Sequence, residues 1–591
     1  MNKFSLSLIL LGVVWANSFS KIIPKKISFD TSILQVSEDS LEFSEPEKRL
    51  VSNFIIDLAF SKSKTVEGNN KVWVGNGIGV SSAEISPFEA NQEFEWTTFT
   101  SSYKNEIPLV VLDSLRDADR QSAIDSLGIG GGSVAALAAN DKFVWVSTAS
   151  SAGDDLSRGE GLSFTEDDGK TWFHFPQPLD SLRKDDQPES LQGINLDEFR
   201  LTYEIIDGDT LIANPVTTDI QNLTFDIAID DSAVWIASFA GGLRKSTDLG
   251  QSFERIIVPS DKMDSLVYNG ETDDIDFYIS PVDLISSGQQ LLIGSLNYRG
   301  FSVAVGKDAI WYGSAGGINK SLDGKIGKEW ARYSFLNSNL PGNWIISIGI
   351  QNLSGSETVW AGVMPTDISG EKSGIARSVD GGKTWETMLT NTGRVFNFAF
   401  DGDYVYAVSE FAVFVTKNGG NTWAELPRIT SGGDQILTQE FYSAGFDEYT
   451  GIWIGSGDGL AITSDKTLNW KILRVFPPSN PQAENYDSDV PNVYAYPNPF
   501  SSTRDNNLDG DGHLRIHYFL ENESKVSLKL FSFAMEHVIS LVSNSTRSAG
   551  ETDEIWNGKD KFGRLVANGV YFYRLEREGK KDFWGKIVIA N

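Results

Sequence analysis

Seven short apolar runs punctuate the chain, each rich in β-branched and aromatic residues and each breaking at Gly or Ser. They are VWVGNGIGV (72–80), FVWVSTAS (143–150), AVWIASFAGG (233–242), AIWYGSAGG (309–317), TVWAGV (358–363), YVYAVSE (404–410) and GIWIGSGDG (451–459). Runs of this make-up predict buried strands that end in turns. Their central aromatics fall at Trp73, Trp145, Trp235, Trp311, Trp360, Tyr406 and Trp453, and the last four are 49, 46 and 47 residues apart. That is the period of a four-stranded propeller blade, so seven runs predict seven blades. The earlier gaps of 72, 90 and 76 residues place insertions at about 101–130, 181–222 and 259–290, all expected on loops.

A second, polar signal follows each of the last six apolar runs at about one strand length. It reads TEDDGKTW (165–172), STDLGQSF (246–253), SLDGKIGKEW (321–330), SVDGGKTW (378–385), TKNGGNTW (416–423) and TSDKTLNW (463–470). The shared form is Ser/Thr-x-Asp-x-Gly-x-Thr-Trp. The third copy carries two extra residues, the fifth has Asn418 for Asp, and the sixth lacks the Gly.

This second signal resembles the Asp-box (BNR-like) repeat of β-propellers, a family that includes sialidases, sortilin-type receptors, some xyloglucan-active glycosidases and a photosystem-assembly factor. The resemblance spans about 50–475. It implies that Asp167, Asp248, Asp323, Asp380, Asn418 and Asp465 accept hydrogen bonds from their own turns. Gly169, Gly250, Gly382 and Gly420 would take a conformation closed to other residues. Trp172, Phe253, Trp330, Trp385, Trp423 and Trp470 would pack between blades. A carboxylate repeated once per blade is expected to be structural, because catalytic carboxylates converge on one bond.

After Val475 the chain becomes rich in Pro, Asn and Asp, which predicts a linker over 479–492. Period-two strands follow: HLRIHYFL (513–520), SKVSLKLFS (524–532), HVISLVS (537–543), GVYFYRLERE (569–578) and FWGKIVIAN (583–591). With no long helix, they predict a small β-sandwich. YPNPF (496–500), EIWNGKDKFGRLVANGVYFYRLE (554–576) and the terminal GKIVIAN resemble the Ig-like C-terminal sorting domain of type IX secretion, a fold shared with the flagellar hook-capping protein. Pro497, Asn498, Pro499, Gly569, Tyr571 and Lys586 match that family's recurrent positions. The resemblance implies export across the outer membrane, with this domain read as the address by the type IX machinery and often removed. DNNLDGDG (505–512) departs from the pattern. Asp505, Asn507, Asp509 and Asp511 alternate as in the first half of a Ca²⁺ loop, but Ile516 stands where an EF-hand carries Glu. An Asp/Asn/Gly turn and a Ca²⁺ site are both open at this point; no other cofactor is expected.

Composition narrows the function. Across 591 residues, 80 Asp and Glu oppose 50 Lys and Arg, a net charge of −30 that disfavours nucleic acid and anionic lipid. The start, MNKFSLSLILLGVVWANSFS, has a basic residue, a short apolar core and small residues, which predicts a signal peptide over 1–20. No stretch of about 18 apolar residues predicts a membrane span. Cysteine is absent, which excludes disulfides, zinc–thiolate sites and thiol chemistry. A sialidase signature is missing: PRIT (427–430) lies in a late blade. GIGGGS (128–133) lacks the Lys-Ser/Thr of a phosphate loop and is expected to be a hinge. His174 is expected on a blade strand, His537 at the start of another, and His513 and His517 on a solvent-facing strand side. Acidic residues such as Asp154, Asp155, Glu160 or Asp458 could line the channel, but the sequence alone does not place them there.

The expectation is therefore an all-β protein: a signal peptide (1–20), a seven-bladed β-propeller (21–478), a linker (479–492) and an Ig-like sandwich (493–591). It is expected to be secreted or on the outer cell surface. It would be a non-catalytic module binding a protein or polysaccharide at the channel mouth and inserted loops. The alternative is an extracellular glycoside hydrolase or lyase on the same scaffold.

Overall fold

The computed structural model describes residues 46–591, except 88–92, 102–127, 154–155, 181–201, 207–208, 268–277, 287–288, 365, 433, 467–468, 477–492 and 504. The expected signal peptide, the linker, Asp154 and Asp155, and parts of all three insertions lie outside the described residues. Among the described residues no helix is long and apolar enough to cross a membrane.

Seven antiparallel sheets follow one another along the chain, each built on four strands in sequence order. Blade 1 is Ile55–Lys62, Asn70–Asn76, Gly79–Ile85 and Thr97–Thr100; blade 2 is Ser133–Ala139, Val144–Gly153, Leu156–Thr165 and Phe173–Phe175. Blade 3 is Thr224–Ile229, Val234–Ser238, Gly242–Ser246 and Glu254–Arg255; blade 4 is Gly300–Val305, Ile310–Ser314, Gly317–Ser321 and Glu329–Tyr333. Blade 5 is Ile345–Leu353, Ser356–Val363, Gly374–Ser378 and Glu386–Met388; blade 6 is Val395–Asp401, Tyr404–Ser409, Val413–Thr416 and Ala424–Glu425. Blade 7 is Phe441–Asp447, Gly451–Ser456, Gly459–Thr463 and Lys471–Leu473. All seven periodic aromatics lie on second strands and are buried, because that strand is covered on both faces by the neighbouring blades.

The first strands touch in succession around a closed ring, with Phe441–Asp447 of blade 7 beside Ile55–Lys62 of blade 1. Among the described residues no strand is exchanged at this seam. Side chains close it: Phe60 packs edge-on to Trp453 (5.9 Å), and Phe54 meets Tyr442 (5.0 Å). The Asn70 amide donates to Asp447 (2.5 Å), and Lys62 pairs with Glu448 (2.7 Å).

The insertions depart from expectation by carrying sheet of their own. Thr202–Ile206 and Asp209–Ala213 form a hairpin, and the latter pairs in parallel with Tyr278–Ile279 from the next insertion. Ser265–Val267 adds a fifth strand to the outer edge of blade 4. Long connections that pack on a sheet must satisfy their own backbone, and pairing does so.

The chain divides into two compact units. The first holds 1–427, 440–456 and 460–469; the second holds 428–439, 457–459 and 470–591. In the second, Val493–Tyr496, Leu514–Leu520 and Gly550–Trp556 form one sheet; His537–Arg547, Ser524–Ser532, Gly569–Arg577 and Phe583–Ile589 form the other. Their facing side chains, among them Phe500, Ile516, Leu528, Leu530, Trp556 and Ile587, make a single sandwich core.

Candidate functional site

The seven first strands share a feature that the repeat did not reveal. Each carries a register shift near its start: Ile56, Ala135, Phe225, Phe301, Ile346, Phe396 and Tyr442. A bulge re-aims one side chain out of the alternating pattern. All seven are buried, and six of them pack into one apolar cluster with Phe54, Phe239 and Trp344. Phe301 lies 6.3 Å from Phe225 and 5.5 Å from Trp344, and Phe396 lies 5.4 Å from Tyr442. The ring axis at this level is therefore filled with apolar side chains.

In four of the blades the residue after the bulge ties its blade to the next. Asp57 accepts from the Leu137 amide (3.0 Å), and Asp226 from the Val303 amide (2.9 Å). The Ser302 and Ser347 hydroxyls donate to the Ile345 and Val395 carbonyls (3.2 and 2.7 Å).

In an up-and-down blade, the turn between strands 2 and 3 and the connection from strand 4 to the next blade emerge at one end. All three insertions are connections of the second kind, so they share that end. There the blade 2 hairpin extends past its sheet and is braced by 219–221: the Gly159 amide donates to Asp219 (3.0 Å) and the Gln221 amide to Ser157 (2.8 Å). Asp180 lies between the buried Arg244 (2.7 Å) and Arg255. Burial opposes ionisation of Asp180, but the two guanidiniums overcome it and hold the carboxyl below its ordinary range. Burial lowers Arg299 to about 10, partly offset by Asp261, and its guanidinium covers the Phe239 ring (5.6 Å). Nearer the axis, Glu410 lies 3.9 Å from Arg394, and Glu440 accepts from the Tyr442 hydroxyl. Phe411 is 54% exposed in the turn beside them. An aromatic floor under a rim of carboxylates and guanidiniums suits stacking combined with hydrogen bonding.

Of the acidic candidates for this region, Glu160 accepts from the Ser150 hydroxyl. Asp458 is 4% exposed and bound to Arg474 and Arg515 in the second unit, so it lines no channel. His174 lies on the fourth strand of blade 2, 2.9 Å from Ser163, and burial holds it below the ordinary imidazole value. The expected hinge at 128–133 is packed instead. The Gly130 amide donates to Ser163 (3.1 Å), and a Cβ on Gly130 would stand 2.7 Å from the His174 ring.

The repeated acidic residues occupy the turns between strands 3 and 4, at the opposite end of the ring. Asp380 Oδ1 accepts from the Thr384 amide (2.9 Å) and the Ser378 hydroxyl (3.0 Å), and Oδ2 from the Thr384 hydroxyl (2.6 Å). The same amide bond recurs at Asp167 (Thr171, 2.8 Å), Asp248 (Ser252, 2.9 Å), Asn418 (Thr422, 3.0 Å) and Asp465 (Asn469, 2.9 Å). In the lengthened copy, Asp323 instead receives the amides of Gly327, Lys328 and Glu329.

The glycines explain the rest of the pattern. Gly382 and Gly420 have φ of 91°, and a Cβ on either would come within 3.0 Å of the Trp of the preceding blade, Trp311 or Trp360. Gly250 meets Trp145 in the same way, whereas Gly169 abuts Phe99. Trp172, Trp385 and Trp423 stand edge-on to Trp73, Trp311 and Trp360, at 6.1, 6.0 and 5.8 Å. Trp330 is fully buried beside Gly327; Phe253 and Trp470 are half-buried.

A further clamp was missed. Lys245 and Lys320 lie over Trp235 and Trp311 and donate to carbonyls of the next blade's turn, Lys325 (2.9 Å) and Gly381 (2.8 Å). Arg377 covers Trp360. The basic residue before each Ser, in KSTD, KSLD and RSVD, was its signal.

Replacing Asp380 with Asn is expected to cost less than about 1 kcal/mol at neutral pH, because Asn418 already serves the same turn. There the Asn418 amide donates to the Thr422 hydroxyl (2.8 Å), reversing the polarity of the Thr384 bond. The Thr384 hydroxyl and amide hold the Asp380 carboxyl below its ordinary value. Its contribution is thus present above the unfolded value near ~3.9 and is lost as pH falls through the folded value. Urea unfolding at pH 7 and pH 3 checks this: D380N should narrow the difference between the two.

The C-terminal motif residues converge on the sandwich edge. The Asn498 amide donates to the Lys586 carbonyl (3.1 Å), and its oxygen accepts from the Val588 amide (2.9 Å). Pro497 and Pro499 both follow cis peptide bonds. Phe500 contacts Trp556, which contacts Tyr571 (6.3 and 6.2 Å); Gly569 opens the strand that pairs with the last one. The four calcium candidates do not converge. Asp505 accepts from the Ser501 amide (2.6 Å), Asn507 from the Gly510 amide (3.2 Å), Asp509 pairs with Arg428, and Asp511 with Lys559 (2.5 Å). Among the described residues no group of three or more His, Asp or Glu side chains could hold a metal ion. His517, expected in solvent, is fully buried; His513 is half-buried, and the exposed His537 opens its strand.

No protein-family model and no curated protein matches the chain. Solved structures similar to it include PorZ, an essential bacterial surface component of the type-IX secretion system of Porphyromonas gingivalis (12% identity, TM-score 0.38, 88% of this chain and 64% of that one). Others are YCF48 bound to D1 peptide (13%, 0.35, 72% and 99%) and an ancestral GH74 enzyme (12%, 0.37, 71% and 49%). At these scores none bears on function. The fold rests on the chain's own sheet order: a seven-bladed β-propeller with a β-sandwich.

Proposed function

We propose that the ring is a non-catalytic binding module outside the cell. It takes an extracellular protein or polysaccharide on the end that bears the three insertions and the blade 2 hairpin. Residues 493–591 act as the export address for the type IX machinery, as their motifs suggest. The observation that carries the binding reading is topological: every long insertion is a strand 4 to strand 1 connection, so all of the added surface accumulates on one end, above an axis filled with apolar residues. The excess acid also belongs to the ring portion, since residues 493–591 hold 13 basic and 13 acidic side chains.

An array of extracellular glycans and surface proteins, scored for both retention and product release, tests this reading. Saturable retention without product is expected. Phe411→Ala should weaken it at least 10-fold, while Val379→Ser, exposed at the opposite end, should leave it unchanged. Release of a glycan product would establish the glycoside hydrolase or lyase alternative instead.

A further inference from the structure

The second unit joins strand Leu514–Leu520 to chain that precedes it by 57 to 81 residues. Arg515 is 0% exposed. Its Nη2 donates to Asp458 (2.6 Å) and to the Gln435 carbonyl (2.7 Å), while Nη1 faces Asp434 (3.3 Å) and Asp553 (3.7 Å). Arg474, equally buried, meets the same two carboxylates: Asp458 at 3.1 Å, and Asp434. Asp458 also accepts from the Leu437 amide (2.8 Å). Two residues along the strand, His517 has Nδ1 2.8 Å from Asp553 and Nε2 2.6 Å from Glu551. Its ring lies between Phe476 (4.6 Å) and Tyr494 (4.9 Å).

This face of the strand is built for an occupant. Its opposite face, Leu514, Ile516, Tyr518 and Leu520, already fills the sandwich core. Charged side chains are buried to this degree only where partners replace their hydration. For Arg515 most of those partners lie outside 493–591, in 434–435 and 458. Asp458 and Asp434, already paired with Arg474, take Arg515 as a second shared cation. Across the contact, the Arg515 guanidinium meets a side that carries Asp458 and Asp434 against the single cation of Arg474.

We propose that residues 493–591 are held by this cluster independently of the covalent link through 477–492, so that cutting that link does not release them. The module is then a lasting part of the folded protein, whatever its role during export. This does not depend on the ligand proposed for the ring.

The test is to place a site-specific protease sequence within 479–492 of the full chain, cut it completely, and run size-exclusion chromatography at physiological salt. Co-elution of the two fragments is expected. Arg515→Ala, which removes the shared cation, should raise the dissociation constant of the cut pair at least 10-fold. Asp434→Asn is a milder variant that leaves the Arg515–Asp458 bond in place, and it should give a smaller increase in the same direction. Circular dichroism of each uncut variant separates loss of fold from loss of association. Elution of the 493–591 fragment alone from the cut wild type would overturn the proposal. So would cut Arg515→Ala and Asp434→Asn proteins that stay as tightly associated as wild type.

Discussion

Phe301→Ala is expected to destabilise the ring by about 3–5 kcal/mol, read as a lowered midpoint in urea or heat. Phe301 is 1% exposed at the bulge of blade 4 and touches Phe225 and Phe239 of blade 3 and Trp344 at the entry to blade 5. Those neighbours are anchored on the sheets to either side of blade 4, so they cannot slide inward to fill the space, and the cavity term stays close to its full value. Combined with Phe225→Ala, the loss should be less than the sum of the two single losses, because both substitutions open the same space. A loss below about 1 kcal/mol for Phe301→Ala would mean that the axis is not packed as described.

Trp360→Ala should cost a similar amount, about 3–5 kcal/mol, for a different reason. Trp360 belongs to blade 5 yet receives most of its specific contacts from its surroundings. Trp423 of blade 6 stands edge-on at 5.8 Å and 85°, Gly420 abuts its ring, and Arg377 covers its face. Its indole N–H donates to Gln351 (3.0 Å), whose carbonyl oxygen would be left buried without that donor. Truncation thus loosens the joint between two blades as well as the core of one. Trp423→Ala, at a half-buried site, should cost clearly less. Equal losses for the two would contradict the asymmetry of the joint.

The repeat was legible because it is written in turn chemistry. Asp380, Gly382 and Trp385 answer to local geometry, and local geometry demands particular residue types at fixed spacing. The axis was not legible, because Ala135, Phe225, Phe301, Ile346, Phe396 and Tyr442 range from a methyl group to a phenol and follow no fixed residue type. They also lie on bulges that break the alternation from which a strand's faces are read. The Arg515 cluster was hidden by distance along the chain: Asp434 and Asp458 look like ordinary turn residues until the strand 57 to 81 positions later folds against them. His517 was misplaced because its strand was assumed to have one wet face. Both faces are in fact covered, one by the sandwich core and the other by Phe476, Tyr494 and the acidic partners. The sheet pairing between two insertions was equally remote, since Ile212 and Tyr278 meet from segments that precede different blades.

The seam between blades 7 and 1 has an evolutionary consequence. Each blade is one contiguous stretch of chain, and the ring closes through side chains such as Phe60, Trp453, Asn70 and Asp447 with no strand shared across it. A gene encoding such a ring can gain or lose a whole unit by in-frame duplication or deletion of 46–49 codons, the spacing of its uninterrupted blades, without reweaving any sheet. Among the described residues, no terminal blade strand crosses the seam for two molecules to trade.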